Sequence, residues 1–186
     1  MLKIAITGKM RSGKDTLAGF FLEKGMRPYE FKAGIADIIE QYFPEATIHG
    51  KPRRHYQHIG QSLRALNNDV WVNYTFNAID RYCILYPAIA EREGVIITDL
   101  RQPNEYTALR ARGYTIIKVV CDDDERIARM KKAGDVFSPE DLNHETERNV
   151  DAIQADIIID NTGTKKDLYI QFCKVWEQLQ ERAGQA

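Results

Sequence analysis

Residues 2–16 read Leu-Lys-Ile-Ala-Ile-Thr-Gly-Lys-Met-Arg-Ser-Gly-Lys-Asp-Thr, and their order decides the fold. An apolar run suited to a strand passes straight into Gly8-x-x-x-x-Gly13-Lys14, and a helical pattern follows at once. This is the phosphate-binding P-loop in its strand–loop–helix setting. Gly8 and Gly13 permit backbone angles that side chains would block. The loop N–H groups then face inward around phosphate, and the helix N-terminus adds a favourable dipole. Lys14 supplies a mobile positive charge for β- and γ-phosphates. There is no G-x-G-x-x-G, which argues against a dinucleotide loop. One position departs from the usual motif: Asp15 follows the lysine where Ser or Thr is expected. A carboxylate is a stronger Mg²⁺ ligand than a hydroxyl, but it repels phosphate when no metal is present. Thr16 either supplies the hydroxyl instead or caps the helix, and the spacing leaves direct and water-mediated metal binding both open.

The chain has 186 residues, enough for one domain with a substantial core. Its composition, 44% hydrophobic and 28% charged, argues against disorder. The formal net charge of −1 gives no global field toward nucleic acid or an anionic membrane. Cys83, Cys121 and Cys173 lie far apart with no C-x-x-C pair, so neither a zinc site nor a disulfide framework is expected. A reducing cytoplasm is the expected compartment. The N-terminal apolar run is too short for a signal peptide, and no stretch is long enough to span a bilayer.

Lys3–Thr7 reads as a strand buried on both faces. A helix from about Gly13 ends near Gly25, and Arg27–Phe31 suggests a short second strand. Ala33–Phe43 reads as a helix, closed by Pro44. A polar, basic loop over 49–54 precedes two helices, one striped by Ile59, Leu63 and Leu66, the other by Val72, Phe76, Ile79 and Cys83. Val95–Thr98 is a core strand ending in Asp99-Leu100-Arg101, and Pro103 opens a helix closing at Gly113. Thr115–Val120 is a third core strand. Asp122, Asp123 and Asp124 favour the start of a helix that carries Arg126 and Arg129 and breaks at Gly134. Ser138-Pro139-Glu140-Asp141 signals another helix start. Asp156–Ile159 is the last strand, Asn161-Thr-Gly-Thr164 a turn, and Leu168, Phe172, Val175, Trp176 and Leu179 stripe the final helix. Strands alternating with helices predict a parallel sheet covered on both faces, with the ligand site beyond the carboxyl ends of the strands.

Several stretches together resemble the P-loop nucleoside monophosphate kinases of the adenylate kinase-like group, most closely the deoxynucleoside monophosphate kinases. They are Gly8-Lys-Met-Arg-Ser-Gly-Lys-Asp-Thr16, then Arg54-x-x-Gln57-x-x-Gly60-x-x-x-Arg64 with Asp69-Val-Trp71-Val72. Further on come Thr98-Asp-Leu-Arg101-x-Pro-Asn-Glu105, His144-Glu-Thr-Glu147 with Asp151, and Asp160-Asn-Thr-Gly-Thr164. The resemblance implies a three-layer α/β/α fold with a five-stranded parallel sheet in one domain over 1–186. It implies a helical monophosphate-binding region at 33–85 and a lid-like region at 122–148. The implied activity uses ATP and Mg²⁺ to phosphorylate a nucleoside or deoxynucleoside monophosphate.

The implied roles fall on residues as follows. Gly8, Arg11, Ser12, Gly13, Lys14, Asp15 and Thr16 hold the triphosphate, with Asn161, Gly163 and Thr164 beside the adenine. Arg54 and Arg64 clamp the acceptor phosphate, Gln57 contacts its base and Arg101 lies nearby. Arg126 and Arg129 act with Lys14 on the transferring phosphoryl, and Asp99 with Asp15 holds Mg²⁺. The expected partners are small-molecule nucleotides, with neither nucleic acid nor membrane, in a monomer or homodimer.

The residues keep other readings open. Arg126 and Arg129, beside Lys131 and Lys132, also fit a solvated helix face. Asp99 also fits a strand-end turn, and Asn161–Thr164 a simple connection. Trp71 and Tyr74 suit packing better than base stacking. His144-Glu145 lacks the second histidine of a zinc protease helix. A small-metabolite kinase resembling phosphomevalonate kinase shares the S-G-K-D loop. A non-catalytic nucleotide-binding regulator is the reading from another class, although no N-K-x-D guanine motif is present.

Overall fold

A computed structural model of the chain describes residues 1–48, 50, 52–135 and 145–184. The described residues form a five-stranded, all-parallel sheet in the order β2-β3-β1-β4-β5. The strands are β1 Lys3–Gly8, β2 Arg27–Tyr29, β3 Val95–Leu100, β4 Thr115–Val120 and β5 Ile157–Asp160. Between β1 and β2 runs α1, Lys14–Glu23. A long crossover from β2 to β3 carries α2 Ala33–Tyr42, a 3₁₀ turn Pro44–Thr47, α3 Arg53–Leu66, α4 Val70–Leu85 and α5 Pro87–Glu93. Then follow α6 Pro103–Ala111, α7 Asp123–Lys132, α8 Glu145–Ala152 and α9 Lys165–Gly184.

Alternation along the strands divides the core into two layers. Ile4 and Ile6 of β1, with Ile117, Val119 and Ile159, face Phe21 of α1 and Phe172 of α9. Ala5, Ile97 and Ile116 face the other way, against Val72, Phe76 and Ile79 of α4 and Leu109 of α6. Helices on both faces explain why the central strands read as unbroken apolar runs. This is the three-layer α/β/α arrangement expected from the sequence. A third cluster lies beside the sheet, where Ile35, Ile39 and Trp71 bury against Ile59 and Leu63 and give α2–α4 a small core of their own.

Several boundaries shift for physical reasons. The second strand stops at Tyr29 rather than Phe31, because the Phe31 and Lys32 amides turn to the Asp99 carboxylate. Pro28 sits comfortably in β2 because that strand is at the sheet edge. The third strand continues through Leu100, whose carbonyl accepts the Thr7 hydroxyl at 2.8 Å, at the end of β1 where the pairing register shifts. Helix α5 is absent from the sequence reading, although Pro87 in its first turn and Gly94 just beyond its end mark it. The helix start expected at Ser138–Asp141, His144 and much of the lid-like region lie outside the described residues.

Candidate phosphate-binding site

The loop after β1 is shaped by Gly13, whose φ of +97° lies in the left-handed region. A second constraint meets it there: a Cβ on Gly13 would stand 1.9 Å from Asn161 Nδ2. That nitrogen donates to the Ser12 carbonyl at 2.7 Å, so the turn after β5 braces the loop from behind. Arg11 adopts φ +60°, the only positive φ among described non-glycine residues. Its guanidinium reaches Asp135 through two hydrogen bonds, of 2.7 and 2.8 Å. The Ser12 hydroxyl is buried and has no hydrogen-bond partner among the described residues. It borders a cavity of about 170 Å³ also lined by Lys9, Lys118, Arg126 and Asp151.

A second brace comes from the far end of the chain. Glu147 of α8, 3% exposed, accepts the Met10 amide at 2.9 Å, Arg126 at 3.1 Å and Arg101 at 3.0 Å. Arg126 Nε in turn donates to the Met10 carbonyl at 2.8 Å. The Arg126–Glu147 pair therefore grips both polar groups of the Met10 residue. Arg126 also pairs with Asp123 and is 4% exposed. The sequence placed Arg126 and Arg129 on the transferring phosphoryl; here both are engaged with protein acceptors. Arg129 binds Glu125 and donates to the Asn161 and Gly163 carbonyls at 2.8 and 3.3 Å. Neither is a solvated-face residue. The Thr164 hydroxyl is used locally, in a reciprocal pair with Asp167 at the start of α9.

On the other side of the loop, cations converge from separate elements. Lys14 Nζ donates to Asp15 Oδ1 at 2.6 Å, with Lys14 largely enclosed and the Asp15 side chain exposed. Partial desolvation raises the Asp15 pKa, but the Lys14 hydrogen bond and the charges of Lys14, Lys32 and Arg101 outweigh it and hold the carboxyl below its ordinary value. Asp99, at the end of β3, accepts the Phe31 amide at 2.8 Å and the Lys32 amide at 3.1 Å, seating the start of α2. Desolvation raises the Asp99 pKa against the opposing Lys32 charge and the Phe31 amide. Glu105 is buried and accepts the Arg101 and Gln102 amides at 2.8 and 2.9 Å, with Arg64 3.9 Å away. Desolvation, then the Asp99 charge, push the Glu105 carboxyl up to about 7.

Arg54 and Arg64 are not brought together. Ten residues apart on α3, they are separated by about 15 Å along the helix axis. Arg64 turns toward Glu105, while Arg54 lines a separate groove with Phe43, His55, His58 and Ile59. Gln57 is exposed on the same helix. Glu147, Lys32 and Glu105 were not singled out as site residues by the sequence. Glu147 and Glu105 lie in stretches that carried the family resemblance; Lys32 carries no local signal.

An AAA domain family model matches residues 4–149, most of the chain and all of the loop just described. The chain belongs to this AAA domain family. No curated protein matches it. Among solved structures, the AAA domain is similar to TT1252 from Thermus thermophilus, with 23% identity, 96% of this chain and 97% of that chain covered, and a TM-score of 0.54. A sugar kinase from Janibacter has 16% identity, 96% and 95% coverage and a TM-score of 0.57. Shikimate kinase from Aquifex aeolicus has 12% identity, 98% coverage of both chains and a TM-score of 0.52. At such identities the likeness is one of fold alone.

Among the described residues no three His, Cys, Asp or Glu side chains are grouped to hold an ion. Mg²⁺ at phosphate-binding sites uses one or two protein oxygens and takes the rest from phosphates and water. The exposed Asp15 carboxylate and the adjacent Thr16 hydroxyl supply oxygens of the right kind at the loop mouth. No helix among the described residues is long and apolar enough to cross a membrane.

Proposed function

We propose that this AAA domain transfers the γ-phosphoryl group of ATP to a nucleoside or deoxynucleoside monophosphate, giving ADP and the nucleoside diphosphate. The observation that supports the reading is a set of four cations near the carboxyl ends of β1 and β3, Lys14, Lys32, Arg101 and Arg64, each paired with a carboxylate (Asp15, Glu30, Glu147 and Glu105) that an incoming phosphate would displace. Two phosphate groups approaching each other need that much positive charge, and arginine suits the task because its planar fork binds oxygens in pairs.

An acceptor phosphate oxygen attacks the γ-phosphorus while its bond to the β–γ bridging oxygen breaks, releasing ADP. The acceptor is already an anion, so no general base is required. Lys14 and the loop amides hold the β- and γ-phosphates. Arg64 and Arg101 face the acceptor phosphate, with Gln57 and Arg54 farther along α3 toward the nucleoside. Asp15 and Thr16 would hold Mg²⁺, which would supply charge neutralisation to the triphosphate, and Asp99 acts from behind by fixing the Lys32 amide and the start of α2. Arg126 and Arg129 serve by keeping the loop and the 161–164 turn in place, with the adenine beside Asn161, Gly163 and Thr164. The protein works in the cytoplasm on small molecules as a monomer or homodimer, without nucleic acid or membrane partners.

ADP formation from ATP, measured across all ribo- and deoxynucleoside monophosphates with phosphomevalonate, shikimate and simple sugars alongside, tests the reading. Turnover that needs one of the monophosphates supports it. Turnover that needs only a non-nucleotide acceptor replaces it.

A further inference from the structure

The phosphate site carries an anion of its own. Asp15 Oδ1 lies 2.6 Å from Lys14 Nζ, one residue along the first turn of α1. Lys32 from the β2–α2 connection, Arg101 from the end of β3 and Arg11 from the loop are all close enough for their charges to act on the same carboxylate. Lys14 is thus paired with one exposed acid, while the three further cations that act on it through space are held by Asp135, Glu30 and Glu147, at the spot where the loop motif ordinarily supplies a neutral hydroxyl.

We infer that Asp15 is a built-in counter-anion which makes the site select metal-bound triphosphate over free triphosphate. The inference rests on the nucleotide-binding reading above. A free triphosphate approaching Lys14 must displace the carboxylate from its ion pair and then sit beside it, like charge against like charge. A Ser or Thr at this position imposes no such penalty. A divalent cation reverses the sign of the interaction, because the displaced carboxylate becomes one of its oxygen ligands. The helix N-terminus favours the acid in both states, so Asp15 can leave Lys14 without losing that support. A residue serving only as a metal ligand would strengthen binding of the metal complex and leave the free nucleotide unaffected; a counter-anion must also weaken the free nucleotide.

The experiment is calorimetric titration of ATP, once with excess Mg²⁺ and once with EDTA, into the wild-type chain, Asp15→Asn and Asp15→Ser. The wild type should prefer the magnesium complex by roughly a hundredfold or more, and both variants should bind metal-free ATP about tenfold tighter than the wild type does. Unchanged metal-free affinity in both variants overturns the inference, even if their affinity for the magnesium complex falls. A wild-type chain that binds ATP in neither condition overturns the nucleotide reading itself, and the inference with it.

Discussion

The Asn161 side-chain amide donates to the Ser12 carbonyl and also fills the space that a Cβ on Gly13 would need. The residue after β5 thus sets both the position of the loop and the identity of one of its glycines. Gly13→Ala should destabilise the fold through two separable effects. The left-handed backbone contributes about 1–2 kcal/mol and the collision with Asn161 the remainder. In an Asn161→Ala background only the backbone part should persist. A double-mutant cycle read by urea denaturation should show coupling of about 1 kcal/mol or more, and simple additivity would dismiss the steric account.

The Met10 residue is held through its amide by Glu147 and through its carbonyl by Arg126. Removing one member of a buried ion pair leaves the other uncompensated, typically at about 3–5 kcal/mol. Glu147→Ala and Arg126→Ala should each lower Tm by roughly 6–20 °C in a chain of this size. Both should also weaken ATP binding, because the loop loses its brace. A thermal scan showing no loss for either variant would remove the pair from this role.

Glu105 makes stability depend on pH in a stated direction. Its folded-state pKa, about 7, lies above the ordinary 4.5. Between those values the folded chain keeps a proton that the unfolded chain releases, so stability falls as pH rises from about 4.5 to about 7. The contribution is on the order of 3 kcal/mol across that window. Glu105→Gln should flatten this part of the profile, and an unchanged slope in denaturation series from pH 4.5 to 7.5 would count against it.

Arg64 and Arg54 should separate in kinetics. Arg64 stands 3.9 Å from Glu105 near the end of β3, whereas Arg54 lies in a groove farther down α3. Arg64→Ala should raise the acceptor KM by about 10–100-fold, the scale of a lost charged hydrogen bond, with little change for ATP. Arg54→Ala should have the smaller effect. Equal losses would mean that α3 moves enough during turnover to bring both arginines to one phosphate.

The strand–loop–helix at the N-terminus was legible because its chemistry is local: apolar run, two glycines, lysine and helix lie within a few residues of one another. The buried strands β3 and β4 were legible for the same reason. What escaped depends on convergence. Glu147 stands 137 residues from Met10 and acquires meaning only when α8 packs beside the loop. Arg54 and Arg64 look like partners in one motif, yet helix rise keeps them apart. Arg126 and Arg129 read as phosphoryl-facing arginines in the sequence, and their partners in the Met10, Asn161 and Gly163 carbonyls are backbone atoms that no residue pattern displays.

The central claim is an ATP-dependent transfer to a nucleoside monophosphate, and its most direct measurement is the identity of the phosphorylated product. The wild-type chain and Lys14→Ala should be incubated with γ-³²P-labelled ATP, Mg²⁺ and each monophosphate in turn, and the products separated. Label should appear in one or more nucleoside diphosphates with the wild type and be lost with Lys14→Ala. Label that stays in ATP, or moves only to inorganic phosphate for every acceptor, would contradict the account.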